Sequence, residues 1–248
     1  AVSLSITDLP PQLAADVGAG AAAGYRVVYV LDIPATRSDF GGSAWAPYLF
    51  DQSAAIHPFD RVAYYLELGQ RPLANPSREW VWTAMDAFTP YISKIGVPNV
   101  ASKAVFQQLV TNLVVRSNKS TIIGGTFATG NIEFWPGNYT VANDLAIPGA
   151  SGSYFDFGDG GKAVNAGHGS MQVHNYLNAQ TVFAINRWGN NQTSPVGIGI
   201  GNCDGATQSP GGGANDKDWT HAANAAQWAS RRLYVLARPG STINPSHV

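Results

Sequence analysis

With 248 residues, 45% of them apolar, and a formal net charge of -1, the chain can bury a large core and lacks the basic block that nucleic acid or an anionic membrane would require. Charged residues make up only 12%, about half of the roughly 25% usual in soluble domains, which leaves Asn, Gln, Ser, Thr and Gly to cover the surface. The single cysteine, Cys203, excludes an internal disulfide and a cysteine metal cluster, and no run reaches the about 20 apolar residues that span a bilayer.

The opening AVSLSITDLPPQ lacks an initiator Met and a basic leader, and reads as a mature end left by signal-peptide cleavage, hence as a secreted protein. Leu4 to Thr7 is a short strand stopped by Pro10-Pro11, and Gln12 to Gly24 is a small-residue segment of weak helical or loop character. Tyr25 to Ile33, β-branched and aromatic, reads as a strand closed by Pro34. Thr36 to Pro58 is a long polar-aromatic loop holding Trp45, Tyr48, Phe50 and Asp51, of the kind that is functional or tied down by its own side chains.

In Asp60 to Leu68, Val62, Tyr64, Leu66 and Leu68 alternate with Ala63, Tyr65 and Glu67. In Glu79 to Phe88, Trp80, Trp82 and Ala84 alternate with Val81, Thr83 and Met85, so the two runs predict a hairpin across a wide turn. Phe106 to Ser117 fits a helix or a strand by period, and its strand-type neighbours decide for strand. Thr121 to Thr126, Asn131 to Trp135 and Ser153 to Phe157 follow as short strands, then a hairpin of Ser170 to Tyr176 and Gln180 to Trp188. Val196 to Asn202, a glycine-rich loop through Asp218, a helical turn at Ala222 to Trp228 and a closing strand Arg231 to Ala237 complete the order, with residues 239–248 as a frayed tail. The spacing predicts an all-β fold, a jelly-roll-like antiparallel β-sandwich forming a single domain over residues 1–248, with residues 1–24 as an N-terminal segment.

In the hairpin, Met171 and Val173 share one face, while Gln172, His174 and Tyr176 point the other way, a polar choice beyond what solvent cover needs. A neutral surface rich in amides and rings suits sugars, whose hydroxyls meet amides and whose C–H faces meet aromatic rings. Candidate contacts are Gln172, His174, Asn175, Tyr176, Asn186, Trp188, Trp135 and Tyr139. Trp219 and Trp228 belong to the same aromatic set, at least half of which should be core. Asp156 and Asp159 in FDFGDGG, joined by Asp204 and Asp216, offer oxygens for Ca²⁺, although a plain turn needs fewer than the about six to eight ligands that the ion takes.

Were the chain a polysaccharide lyase or hydrolase, His168, His174, Tyr176 and Asp218 would be its proton-transfer groups. A third reading is an extracellular assembly protein self-associating through edge strands or Cys203. Asn118-Lys119-Ser120, Asn138-Tyr139-Thr140 and Asn191-Gln192-Thr193 accept glycans only in a eukaryotic source.

The segments RVAYYLEL, WVWTAMDAF with KIGVP, GNIEFWPGNY, YFDFGDGG with GHGSMQVHNY, QTVFAINRWG, GIGIGN, DWTHAANA and RRLYVL run collinearly from Arg61 to Arg238. In that order they resemble a β-sandwich region that accompanies secreted bacterial proteins described as sialate O-acetylesterase-like or tied to polysaccharide use. The resemblance implies carbohydrate association. It does not bring esterase chemistry with it, because the chain has neither Gly-Asp-Ser nor Gly-x-Ser-x-Gly and lacks the strand-helix alternation of the esterase fold.

Overall fold

The computed structural model describes residues 9–34, 48–70, 78–97, 107–135, 170–175, 180–186, 196–199 and 228–240. Among these residues two short α-helices, α1 (Pro11–Val17) and α2 (Ala19–Ala22), precede ten strands. The strands are β1 (Arg26–Asp32), β2 (Phe50–Asp51), β3 (Phe59–Gln70), β4 (Arg78–Asp86), β5 (Gln107–Ser117), β6 (Gly125–Trp135), β7 (Ser170–Asn175), β8 (Gln180–Asn186), β9 (Val196–Ile198) and β10 (Trp228–Pro239). They form one antiparallel sheet in the order β2-β1-β10-β3-β4-β5-β6-β7-β8-β9, so the all-β class follows as expected. None of the helices among the described residues is long and apolar enough to cross a membrane.

The sheet folds back on itself. β8 and β9 return against β4, and Tyr64 of β3 meets Phe183 of β8 with ring centroids 6.3 Å apart. Between these halves lies the larger core, which takes Val62, Tyr64, Leu66 and Leu68 from β3, Val81 and Met85 from β4, and Val173, Phe183 and Val196 from the far end. The opposite face of β1, β3, β4 and β10 is apolar too, and carries Val27, Ala63, Tyr65, Trp82 and Leu236 under Leu13 and Val17 of α1. Two covered faces explain why β1 reads as an unbroken apolar run, a pattern more usual in buried parallel strands. Its register shifts between Val27 and Tyr29, which lets the successive residues Val28 and Tyr29 both enter the larger core.

α1 is held by charge as well as by packing. Arg78 bonds Asp16, and donates to Glu67 Oε2 (2.7 Å) and to Tyr65 Oη (2.6 Å), while Tyr65 in turn donates to Asp16 Oδ2 (2.5 Å). Arg116 Nη1 caps the helix end at Val17 O (2.9 Å). Pro11, expected to belong to a stop, is the first helical residue instead, a place where the missing N–H costs nothing.

Of the long loop Thr36 to Pro58, the described part is tied down by a side chain. Tyr48 stacks on Tyr29 at 4.2 Å and accepts the Val97 N–H (3.0 Å), and burial pushes its phenol well above the usual tyrosine range. Of Thr121 to Thr126 only Gly125 and Thr126 are strand, and they open β6, the same strand that runs on through Asn131 to Trp135. Trp228, read as the end of a helical turn, is instead the first residue of β10. Leu4 to Thr7, Ser153 to Phe157 and Ala222 to Gln227 lie outside the described residues.

Candidate functional site

The polar residues singled out in the hairpin fall on β7, between β6 and β8. Asn131 of β6 stands directly across from His174, so their side chains share a face at about 5 Å between Cβ atoms. Asn131 Oδ1 lies 2.8 Å from His174 Nδ1. Gln172, two residues along the same strand and therefore on the same face, brings Oε1 to 3.1 Å from His174 Nε2. The imidazole is thus gripped through both nitrogens.

Gly130 permits this closeness. A Cβ there would sit 2.7 Å from His174 O and 2.6 Å from Leu113 Cδ2, so any larger residue would push β6 away from β7.

All three side chains are 0% exposed, a correction to the expectation that Gln172 and His174 face outward. Strand alternation identifies which residues share a face, but it carries no information on whether more chain covers that face. The amide nitrogens Asn131 Nδ2 and Gln172 Nε2 are buried with no hydrogen-bond partner among the described residues. Such donors cost stability when buried unmatched, and each calls for a reason. Asn175, also 0% exposed, has neither Nδ2 nor Oδ1 partnered among the described residues. It follows His174 and sits across from Gly130, so alternation puts it on the other face, apart from the imidazole cluster.

A second arrangement emerges from register. Trp135 at the end of β6 pairs with Ser170 of β7, and Ser170 pairs with Asn186 of β8. Trp135 and Asn186, far apart in sequence, therefore occupy one cross-strand row at about 10 Å, two strand spacings. The row lies on the same three strands as the imidazole cluster.

Of the remaining candidates, Tyr139, Asp156, Asp159, His168, Tyr176, Trp188, Asp204, Asp216 and Asp218 lie outside the described residues, as do Trp219 and Cys203. Among the described residues no group of three or more His, Cys, Asp or Glu is placed to hold a metal ion. Trp228 is buried at 6% exposure. Asn118, in one of the glycan-acceptor triplets, uses its amide to hold β4, donating to Arg78 O (2.8 Å) and accepting from Trp80 N (2.9 Å).

Chemically, the cluster is hydrogen-bonding equipment in which any proton exchange at His174 with a substrate would first break one of its two amide contacts. Asn131 is the member that sequence reasoning missed. Its signal was present, since an Asn preceded by Gly within a β-branched and aromatic strand runs against strand preference and asks for an explanation.

No protein-family model, no curated protein and no solved structure matches this chain.

Proposed function

We propose that the chain is a secreted carbohydrate-binding β-sandwich domain that meets sugar along the end of β6, β7 and β8. The observation that carries this reading is the row Trp135, Ser170 and Asn186, whose register sets a tryptophan and an asparagine, residue types suited to a pyranose, two strand spacings apart on one cross-strand row. The gripped imidazole of His174 backs the same three strands with a polar core that fixes their register. The low charge of the chain, 12% of residues, supports a neutral polyhydroxylated partner over a polyanion. On this reading Tyr139, Tyr176 and Trp188 extend the contact surface, and Asp156, Asp159, Asp204 and Asp216 hold a structural Ca²⁺. The likeness to the region that accompanies sialate O-acetylesterase-like secreted proteins is consistent with it.

The test is a glycan array of neutral and acidic polysaccharides, with and without calcium, followed by titration of the best hit. Trp135→Ala and Asn186→Ala should each weaken that hit about tenfold or more, equivalent to about 1.4 kcal/mol, with an unchanged far-UV spectrum. Retention on no glycan in either condition would reject the proposal.

A further inference from the structure

β10 opens on a bulge. Its register against β3 runs from Trp228 opposite Gln70 to Ser230 opposite Gly69, so Ala229 is an extra residue with no opposite number. Such an insertion bends the strand and re-aims the side chains around it. Beside it lies a cleft of about 250 Å³ lined by Asp32, Ile33, Trp228, Ser230, Arg231 and Arg232. That is just under the roughly 300–1,000 Å³ of pockets that take drug-sized ligands, and it suits a single small ring.

The walls divide by chemistry. Ile33 and Trp228, 4% and 6% exposed, give an apolar side. Arg231 belongs to the scaffold: its Nη2 donates to Pro34 O (2.8 Å) and its carbonyl accepts the Ile33 N–H (2.7 Å), which fixes the cleft between the end of β1 and the start of β10. The polar side is Asp32 with Arg232, joined Nε to Oδ1 at 2.6 Å and Nη2 to Oδ2 at 3.0 Å. A carboxylate has about four lone-pair sites, and this pairing takes one on each oxygen. The Asp32 side chain is 54% exposed, and Ser230 is exposed as well.

We infer that this cleft is a subsite for one uncharged pyranose ring, which rests on the reading of the chain as a carbohydrate binder and not on the row in β6, β7 and β8. Two adjacent ring hydroxyls donate to the two Asp32 oxygens, Ser230 Oγ supplies a further contact, and the C–H face of the ring turns to Trp228 and Ile33. The ion pair selects against charge. An anion approaching Arg232 meets the Asp32 carboxylate beside it, and a cation approaching Asp32 meets the guanidinium, whereas hydroxyls use the remaining lone pairs and leave the pair intact.

The experiment is NMR titration of the whole chain with glucose, galactose and mannose, and with glucuronate and glucosamine as the charged matches. At least one neutral hexose should bind, about fivefold or more tighter than either charged match. Asp32→Asn, which turns one acceptor oxygen into a donor, and Ser230→Leu, which puts a larger side chain on the rim, should each weaken that hexose about fivefold or more. Unfolding midpoints are recorded alongside, and an exposed pair such as Asp32 with Arg232 contributes little to them. Hexose binding that needs Asp32, in a chain retained on no polysaccharide, upholds the cleft and rejects the row. Polysaccharide retention that needs Trp135 and Asn186, in a chain that binds no hexose, does the reverse. The cleft assignment also falls if glucuronate or glucosamine binds as tightly as the best hexose, or if either cleft variant binds that hexose as the parent chain does.

Discussion

Two buried asparagines make opposite demands on the fold. Asn131 grips His174 Nδ1 through its oxygen, whereas Asn175 is sealed from solvent with both amide atoms unpartnered among the described residues. Replacing a buried polar group that has no partner by an apolar one of similar size removes a desolvation penalty, while replacing one that has a partner orphans the other side. Asn175→Leu is therefore expected to stabilise the chain by about 1 kcal/mol or more and Asn131→Leu to destabilise it by about 1–3 kcal/mol. Guanidinium unfolding midpoints of the two variants should move in opposite directions. A fall in both would show that the Asn175 amide is satisfied in solution. The residue types of this cluster were legible, since Gln172 and His174 stand out at alternate positions of an apolar strand. Their burial was not, because it depends on chain that comes from elsewhere in the sequence.

At the level of elements, alternation placed β1, β3, β4, β7 and β8 to within two residues or so, and correctly assigned which residues of β3 and β4 face together. It failed at β6, a single strand that alternation divides between Thr121 to Thr126 and Asn131 to Trp135. Gly130 does not end a strand but allows β6 to run close to β7. α1 was hardest to read, since PQLAADV is too short to hold a helix alone and is helical through what it docks on. Its charge anchor predicts a pH response. Burial pushes the Asp16 carboxyl up, but hydrogen bonds from Arg78, Tyr65 and Gln12, with the Arg78 charge, outweigh this and hold it below the ordinary 3.8. A carboxylate lowered in the folded state contributes stability above its unfolded pKa, and that contribution is lost as pH falls through the folded value. Asp16→Asn should thus cost about 1 kcal/mol at pH 7, a figure that allows for partial exposure. The gap to the parent chain should close as the pH falls below about 3.8. A gap that stays constant from pH 7 to pH 2.5 would mean that the Asp16 charge does not anchor the helix.

Across the whole molecule, β10 holds the two ends of the described chain together, and no local pattern could have shown it. It inserts between β1 and β3, pairing Arg232 with Asp32 across 200 positions and Arg238 with Asp60 across 178. β5 and β6, by contrast, pair across a short connection around Asn118 to Gly124. Closing a long loop loses more chain entropy than closing a short one, and that loss precedes the contacts that compensate it. The local β5–β6 pairing is therefore expected in the folding transition state, with β10 docking after it. Leu113 of β5 and Leu233 of β10 are both fully buried in the same core, so truncating either to Ala should cost about 2–5 kcal/mol. The kinetic share of that loss separates them. Leu113→Ala should mainly slow refolding, with a φ-value of about 0.5 or higher, and Leu233→Ala should mainly speed unfolding, with a φ-value near zero. Chevron plots of the two variants decide the matter. The reverse order would mean that β10 seats early and that the sheet grows outward from its longest-range contact.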